Sequence, residues 1–361
     1  MSRPRSNGSR RGRISSAGPV VRGAVLQVRF DRSRAPCYTY PRQGSSVDTR
    51  ESAGRIVCLI NPLAADSKWR RNRFLRAYLR KKMPGEIRDI AGDPRTTVEN
   101  ARNACSNSDV IAAMGGDGTV AAALEGIFEA GGEKRVMFGV IPFGTGNAFR
   151  KAFGIPRSPR KAIDILVSGR PRWTDLMEIE GRIGAFASVG ATAEVTREKA
   201  GLGLRGIWGF LWAGRKLHTH KRVRKELVLV DGWDGTVPFE HKVLSSNFLD
   251  CVITKTPYFG YGWKIAPRAL VDDGYLDVTL FEMGPLKYTL IFPFLYLGLV
   301  QGRFRHFKVR EAALSGPDMP VQYNGEFLGY LPRVTVRALP RALRIVCPRS
   351  GRGEKHFLHP A

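Results

Sequence analysis

Between residues 55 and 169, short apolar runs alternate with amphipathic segments. The runs "RIVCLI", "DVIAAM" and "VMFGVI" are typical of buried strands, and the segments between them, such as "RNRFLRAYLRKK", have the apolar spacing of a helix. Strands that alternate with helices form a parallel sheet that is covered on both faces. We therefore predict a Rossmann-like α/β domain over residues 54–169.

From residue 170 the pattern changes to short apolar or alternating strands with turn residues between them, as in "ELVLV", "LDVTLF" and "RVTVRAL". Such spacing predicts a mostly antiparallel β-sandwich domain over residues 170–350. The predicted fold class is thus α/β plus all-β. Residues 1–53, rich in Arg, Ser, Gly and Pro, are predicted to form a disordered basic arm, and residues 351–361 a short tail.

Glycine-rich loops follow two of the predicted strands, in "MGGDGTV" and "IPFGTGNAF". The carboxyl ends of parallel strands lie at one edge of the sheet, so we expect both loops to line one crevice. Glycine lets the backbone approach a ligand closely, and the helix that follows offers its N-terminal N–H groups to phosphate. The loops lack the Gly-Lys-Ser/Thr of a Walker A loop, and together they predict a site for a nucleotide polyphosphate.

Asp117 lies inside the first of these loops, where a carboxylate would repel phosphate. Either a divalent cation lies between the two charges, or the carboxylate acts on the hydroxyl group of the phosphate acceptor. The alternative is a structural role, in which Asp117 caps a helix. The residues alone leave these roles open.

The chain is strongly basic, with 58 Lys and Arg against 32 Asp and Glu and a formal net charge of +26. This charge favours a polyanionic partner, namely nucleic acid, anionic lipid or phosphate. The sequence contains no recognised nucleic-acid motif, so no specific nucleic acid is predicted as a partner. The five cysteines are scattered without CxxC spacing, which predicts reduced thiols in a cytoplasmic protein and no zinc site.

Two segments of the second half bear on membrane binding. The run "YTLIFPFLYLGLV" (residues 288–300) is shorter than the roughly 20 residues that span a bilayer, so it predicts either a buried helix or a helix whose apolar face meets lipid. Around residues 207–225, aromatic residues lie beside a basic run, which suits the surface of an anionic membrane; the alternative is a core helix followed by a solvated turn. We expect a peripheral protein at the inner face of the membrane, and homodimer formation stays open.

Short motifs occur in the order and roughly the spacing of a known family: "NPLAAD" (61–66), "GGDGTV" (115–120), "PFGTGN" (142–147), "ASVGATAEV" (187–195), "DDGYLDV" (272–278) and "NGEFLG" (324–329). In these motifs the chain resembles the diacylglycerol kinase catalytic-domain family, which includes bacterial diacylglycerol kinases, YegS-type lipid kinases, sphingosine kinases and ceramide kinases. The resemblance covers residues 55–350. It implies an enzyme that uses ATP and Mg²⁺ to phosphorylate the hydroxyl group of diacylglycerol or a related membrane lipid. The alternatives are a relative that binds nucleotide or lipid with little activity, and a soluble-substrate relative of NAD kinase.

The resemblance also implies the roles of individual residues. ATP is expected between the two domains, with a basic residue after the first Asn-Pro turn, Lys68 or Arg70, on a phosphate. The expected nucleotide-binding residues are Asn61, Lys68, Gly115, Gly116, Asp117, Gly118, Thr119, Val120, Gly144, Thr145, Gly146 and Asn147. Asp117 and Glu326 are the two candidate catalytic bases, and the choice between them stays open.

Two magnesium sites are implied by the same resemblance. Asp175 is expected to help organise the active-site magnesium and its water. Asp273, together with the backbone carbonyl groups of Leu270 and Tyr275, is expected to hold a structural magnesium in the β domain.

The chain departs from the family pattern where Ala121-Ala122, Ala148 and Asn324 stand in place of polar or acidic residues. These changes remove carboxylates from the expected surroundings of magnesium, and each should weaken its organisation there or substitute other groups.

Overall fold

The computed structural model describes residues 54–83, 85–90, 93–144, 147–201, 214–220, 222–260, 262–299 and 304–349. The predicted basic arm and C-terminal tail lie outside these residues. Thr145 and Gly146 of the second glycine loop, and the aromatic residues of the segment around 207–225, also lie outside them.

The first half of the described chain contains a parallel sheet with the strand order β4-β3-β1-β2. Its strands are β1 (Ile56–Ile60), β2 (Glu86–Asp89), β3 (Val110–Gly115) and β4 (Met137–Pro142). The helices between and after them are α1 (Ala64–Arg71), α2 (Arg73–Lys82), α3 (Pro94–Cys105), α4 (Asp117–Glu129), α5 (Ala148–Ala152) and α6 (Pro159–Ser168).

Helices cover both faces of this sheet. Val57 and Leu59 of β1 belong to a core that includes residues of α3 and α4. Ile56 and Ile60 of the same strand belong to a second core, with residues of α2 and α6. Successive side chains of a strand point to opposite faces, so a strand buried on both sides must be apolar throughout, as the sequence pattern indicated.

The second half consists mainly of antiparallel strands. These are β5 (Arg170–Ile179), β6 (Arg182–Gly184), β7 (Phe186–Gly190), β8 (Lys225–Trp233), β9 (Pro238–Ser246), β10 (Asp250–Thr254), β11 (Leu276–Phe281), β12 (Arg305–Tyr323) and β13 (Glu326–Cys347). Its described helices are α7 (Ala191–Gly201), α8 (Lys216–Thr219) and α9 (Pro285–Leu297).

The last strand joins the two halves. β13 pairs in antiparallel fashion with β12 and β5, and near its end Arg344 and Ile345 pair in parallel with Met137 and Phe138 of β4. The described strands therefore form a single sheet of 13 strands. The predicted fold class is confirmed, since a parallel α/β part is followed by antiparallel strands. The domain boundary at residue 170 stays a prediction.

Helix α9 is the apolar helix expected near Tyr288. Tyr288 and Leu295 are buried, with 1% and 2% of their surface exposed, whereas Leu286 and Leu290 are each 65% exposed. One face of α9 therefore packs in the core, and large apolar side chains on the other face meet solvent. Within the described ranges, no helix combines the length and the apolar character that a membrane crossing needs.

Candidate active site

The two glycine loops meet at the carboxyl edge of the parallel sheet. β3 and β4 end side by side there, and the N–H of Phe143 donates to the carbonyl of Gly115 (2.9 Å). A Cβ atom at Gly144 would lie 3.0 Å from the nitrogen of Gly116 and closer still to its Cα. Only glycine at position 144 allows the loops to approach this closely. The predicted convergence of the loops is thus seen in the structure.

The first loop is held by Asn61, which follows β1. The backbone N–H of Asn61 donates to the carbonyl of Met114 (3.0 Å), and its side-chain amide donates to the hydroxyl of Thr119 (3.3 Å). A side chain at Gly115 would collide with Thr119, and Val120 is buried in the first turn of α4. These expected nucleotide-binding residues therefore lie together.

The second loop ends at Asn147, immediately before α5. Asn147 has a left-handed backbone (φ 51°), which asparagine tolerates better than most residues, and its side-chain amide donates to the carbonyl of Gly144 (2.6 Å). This bond closes the loop on itself.

Asp117 connects the two loops. Its two carboxylate oxygens accept the N–H groups of Ala148 (3.2 Å) and Phe149 (3.3 Å), the first residues of α5. Asp117 therefore caps α5, although it lies in the first turn of α4. The N-cap residue of α4 is Gly116, which makes no side-chain hydrogen bond. Burial raises the pKa of Asp117 to about 6, although the N–H donors oppose the shift, so the group is ionised at neutral pH.

Glu326 reaches the first loop from the far end of the chain. It follows a tight turn in which Asn324 and Gly325 both have positive φ angles (46° and 86°). A Cβ atom at Gly118 would lie 3.3 Å from Oε1 of Glu326, so this carboxylate lies against the loop that carries Asp117. Burial raises the pKa of Glu326 above its ordinary value, while the positive charge of Arg182 opposes the rise.

The residues that depart from the family pattern lie in or beside the elements that form this site. Ala121 and Ala122 are buried in α4, with 2% and 4% of their surface exposed. The backbone N–H of Ala148 is one of the donors to Asp117. Asn324 accepts the N–H of Ala185 through its side-chain oxygen (3.0 Å), which fixes the turn before Glu326.

Lys151 on α5 is a functional candidate that sequence reasoning missed. Its ammonium lies 6.0 Å from the ring centre of Tyr258, and a side chain at Gly262 would collide with it. Burial lowers the pKa of Lys151, and the charge of Asp117 partly opposes this shift. The sequence could have indicated Lys151 by its position, because it lies four residues after Asn147, on the helix that follows the second loop.

The basic residues expected on a phosphate, Lys68 and Arg70, both lie in α1. The backbone of Lys68 lies in α1, but its side chain is outside the described part of the structure. Arg70 lies in the same helix and is exposed. Lys225 of the expected cationic run is not on the surface, because it is only 1% exposed and begins β8.

The residues predicted to hold magnesium in the β domain do come together, but around the ammonium of Lys255. Its Nζ lies 2.9 Å from the carbonyl oxygen of Leu270, 2.6 Å from that of Tyr275 and 2.5 Å from Oδ1 of Asp273. Asp175, which was expected at the active-site magnesium instead, lies here as well, with its Oδ2 3.0 Å from the same nitrogen.

Burial alone would lower the pKa of Lys255, but Asp273 and Asp175 raise it, so the group is an ammonium. These four groups therefore do not fit a divalent cation at this point. Throughout the described residues, no cluster of three or more His, Cys, Asp or Glu side chains could hold a metal ion.

Family models match both halves of the chain. Residues 55–179 match the diacylglycerol kinase catalytic domain, and residues 189–347 match the YegS C-terminal NAD kinase beta sandwich-like domain. A diacylglycerol kinase of Mycobacterium tuberculosis is 25% identical over 320 residues, which cover 84% of this chain and 98% of that protein. A protein of Stenotrophomonas maltophilia described as "Probable lipid kinase YegS-like" is 32% identical over 183 residues, 48% of this chain and 56% of its own length.

The fold is also shared with solved structures. The crystal structure of a diacylglycerol kinase from Bacillus anthracis matches with a TM-score of 0.61 over 81% of this chain and 96% of that one. At 19% sequence identity this similarity concerns the fold alone.

Proposed function

Because the chain belongs to the diacylglycerol kinase catalytic-domain family, we propose that it transfers the γ-phosphate of ATP to the hydroxyl group of diacylglycerol or a related lipid at a membrane surface. The observation that carries this proposal is the meeting of three segments at one point. Gly144 touches Gly116 from the second loop, and Glu326 reaches Gly118 from the other half of the chain.

The phosphates of ATP would lie on the two loops. α4 has 13 residues, and its cap, Gly116, makes no side-chain bond to the N–H groups of the first turn. Such N–H groups and the positive end of the helix dipole favour phosphate oxygens. Lys151 adds a positive charge on the side of Asp117. This arrangement supports nucleotide binding at the first loop.

Glu326 is the catalytic base in this proposal. The lipid hydroxyl oxygen attacks the γ-phosphorus, its proton passes to the carboxylate of Glu326, and the bond to the β-phosphate oxygen breaks to leave ADP. Asp117 is the weaker candidate, because both of its oxygens already accept N–H groups of α5. It acts as a positioning residue that holds the second loop against the first.

The magnesium ion that accompanies ATP supplies positive charge that neutralises the phosphates. Its ligand in the protein would be Asp117, while Glu326 stays free to accept the proton of the lipid hydroxyl group. Each oxygen of Asp117 keeps a lone pair after accepting one N–H group, so this carboxylate fits an ion held mainly by phosphate oxygens and water.

The outer face of α9 supports action at a membrane. Leu286, Leu290, Phe294 and Leu297 recur at helical spacing and are 50% to 65% exposed. A row of large exposed apolar side chains on one helix marks an interaction surface, and a helix of this length can lie in the lipid interface. This face is the proposed membrane contact.

One loop connects α9 with the catalytic loops. The N–H of Lys264 donates to the carbonyl of Leu295 in α9 (3.2 Å), while Tyr258 and Gly262 of the same loop contact Lys151. Lys264 also lies close enough to Lys151 to lower the pKa of that residue. The positive charges beside α9 suit anionic lipid headgroups.

The test of the phosphoryl transfer uses purified protein, Mg-ATP and mixed micelles of anionic lipid with diacylglycerol, monoacylglycerol, ceramide or sphingosine. We expect lipid-dependent release of ADP and a labelled phospholipid. Glu326→Gln should lower kcat by about 10²- to 10⁴-fold, the usual contribution of a general base. Glu240→Gln, a matched change at an exposed site on β9, should have no effect.

Absence of turnover with every lipid, together with intact ATP binding, would favour a binding protein with little activity. Phosphorylation of NAD instead of lipid would favour a relative of NAD kinase.

The membrane contact is tested separately by sedimentation with anionic vesicles. Leu290→Asp should abolish co-sedimentation, whereas Val243→Asp, which changes a side chain 62% exposed on β9, should not. Unaltered binding of the Leu290 variant would remove α9 from the proposal.

A further inference from the structure

We propose that Lys255 is a built-in cation that takes the place of a structural divalent metal ion in the turn between Leu270 and Tyr275. Its ammonium lies at the centre of two carboxylates and two backbone carbonyl groups. This half of the protein should therefore fold and stay folded without metal. The inference is independent of the reaction that the protein catalyses.

The shell around Lys255 has the chemistry of a metal site. Carboxylate and carbonyl oxygens are the ligands that Mg²⁺ and Ca²⁺ prefer. Here they surround a fully buried side chain, since Lys255 is 0% exposed and Asp175 2%. The distances of 2.5 to 3.0 Å from Nζ are those of N⁺–H···O bonds and exceed the 2.0 to 2.1 Å, roughly, of Mg²⁺–O contacts.

All four oxygens of the two carboxylates already have an ammonium or N–H partner. Oδ1 of Asp273 bonds Lys255, and Oδ2 bonds the ammonium of Lys308 (2.5 Å). Oδ1 of Asp175 accepts the N–H of Arg341 (2.8 Å), and Oδ2 accepts that of Gly274 (2.6 Å) in addition to its ion pair with Lys255. Two ammonium groups thus lie against these two carboxylates, and both would repel a divalent ion at the same place.

The ammonium joins segments that are distant in sequence. Lys255 follows β10, Asp175 lies in β5, and the turn of Asp273 leads into β11. A metal ion could make the same connections but would be lost to a chelator. A lysine side chain is covalently attached to its strand and cannot be removed in this way.

The experiment measures thermal unfolding of the full-length protein, without nucleotide, in EDTA and in millimolar MgCl₂ or CaCl₂. The wild type should have the same Tm in all three solutions. Lys255→Ser removes the ammonium and leaves a cavity lined by the four oxygen groups. Because buried carboxylates then lack a partner, Tm in EDTA should fall by about 10 °C, and Mg²⁺ or Ca²⁺ should restore part of the loss by filling the cavity.

Lys308→Ser is the matched control. Lys308 pairs with the same carboxylate, Asp273, but its side chain is 20% exposed. This variant should lose less stability, and divalent ions should not rescue it, because Lys255 still fills the centre of the shell.

Three outcomes would overturn the proposal. One is a wild-type Tm that falls in EDTA or rises with Mg²⁺, provided that Asp273→Asn abolishes this dependence. The variant locates the ion, because Asp273→Asn would not alter the effect of an ion bound at the catalytic loops. Another is a folded Lys255→Ser protein that no divalent ion stabilises, and a third is full stability of that variant in EDTA.

If Lys255→Ser fails to fold, the metal content of the wild type decides. Elemental analysis of the wild type after gel filtration should find far less than one divalent ion per chain. The inference would be refuted by one bound divalent ion per wild-type chain that is missing from the Asp273→Asn variant.

Discussion

Gly144→Ala should disable the site through a single methyl group. The φ angle of Gly144 is outside the left-handed region, so this angle does not by itself exclude alanine. The obstacle is the first loop, because the new Cβ would lie 3.0 Å from the nitrogen of Gly116 and closer to its Cα. Ordinary contact begins at 3.4 Å, and backbone atoms cannot turn aside as the end of a flexible side chain can.

The size of the effect follows from this overlap. One loop must move by roughly 0.5 to 1 Å, and such a misplacement of groups around reacting atoms costs about 100-fold in rate. The same shift disturbs the bond from Asn147 to the carbonyl of Gly144. Overpacking elsewhere in proteins costs about 1 to 3 kcal/mol, so Tm should fall by several degrees while the fold persists.

The assay compares kcat/KM for Mg-ATP, the affinity for a fluorescent ATP analogue and Tm. Gly201→Ala is the control, because a Cβ there meets nothing within 4 Å. We expect weaker nucleotide binding and about 100-fold lower kcat/KM only in the Gly144 variant. Wild-type affinity and turnover in that variant would show that the two loops are not in contact in solution.

Further outcomes follow from the same structure. Asp117→Asn should lower kcat/KM and loosen α5, measured as faster amide exchange at Phe149, because the charged cap of that helix is lost. The pKa of Glu326 is raised above the ordinary 4.5, and the rate should increase as pH rises through it, because a base must be deprotonated. Glu326→Gln should abolish this increase in the pH–rate profile. Burial raises the pKa of Asp250 from 3.8 to about 7, so wild-type stability should fall as pH rises from 4 to 7. Asp250→Asn should remove this loss and raise the free energy of unfolding at pH 8 by up to about 4 kcal/mol in chemical denaturation. Asn324→Ala should cost about 1 to 3 kcal/mol, because it leaves the buried N–H of Ala185 without an acceptor.

The sequence predicted those features that depend on local order. Alternation of strands and helices puts the ends of β3 and β4 at one edge, so the meeting of the loops at Gly116 and Gly144 follows from topology. The glycines themselves indicated a close approach of backbone. The role of Asp117 could be narrowed to a few alternatives, but the partner that it caps, α5, depends on how the two loops are placed in space.

Features that depend on distant pairings escaped the sequence pattern. Lys255 lies in the unremarkable stretch "VITKTP", and nothing local marks it as the centre of four oxygen groups. Those groups come from β5 and from the turn before β11, and only the register of the sheet brings them together. The return of β13 to pair with β4 is equally non-local, because the decisive contacts join Arg344 and Ile345 with residues some two hundred positions earlier.

The departures from the family pattern and the position of Lys255 both affect how much negative charge is available to bind cations. Ala148 and Asn324 stand where the family resemblance led us to expect carboxylates, and neither side chain adds negative charge near the loops. In the other half, the ammonium groups of Lys255 and Lys308 form ion pairs with Asp175 and Asp273. The first difference leaves fewer ligands for a divalent ion at the loops. If Lys255 replaces the structural ion as proposed, magnesium should be required only together with ATP, so chelators should abolish turnover without lowering Tm.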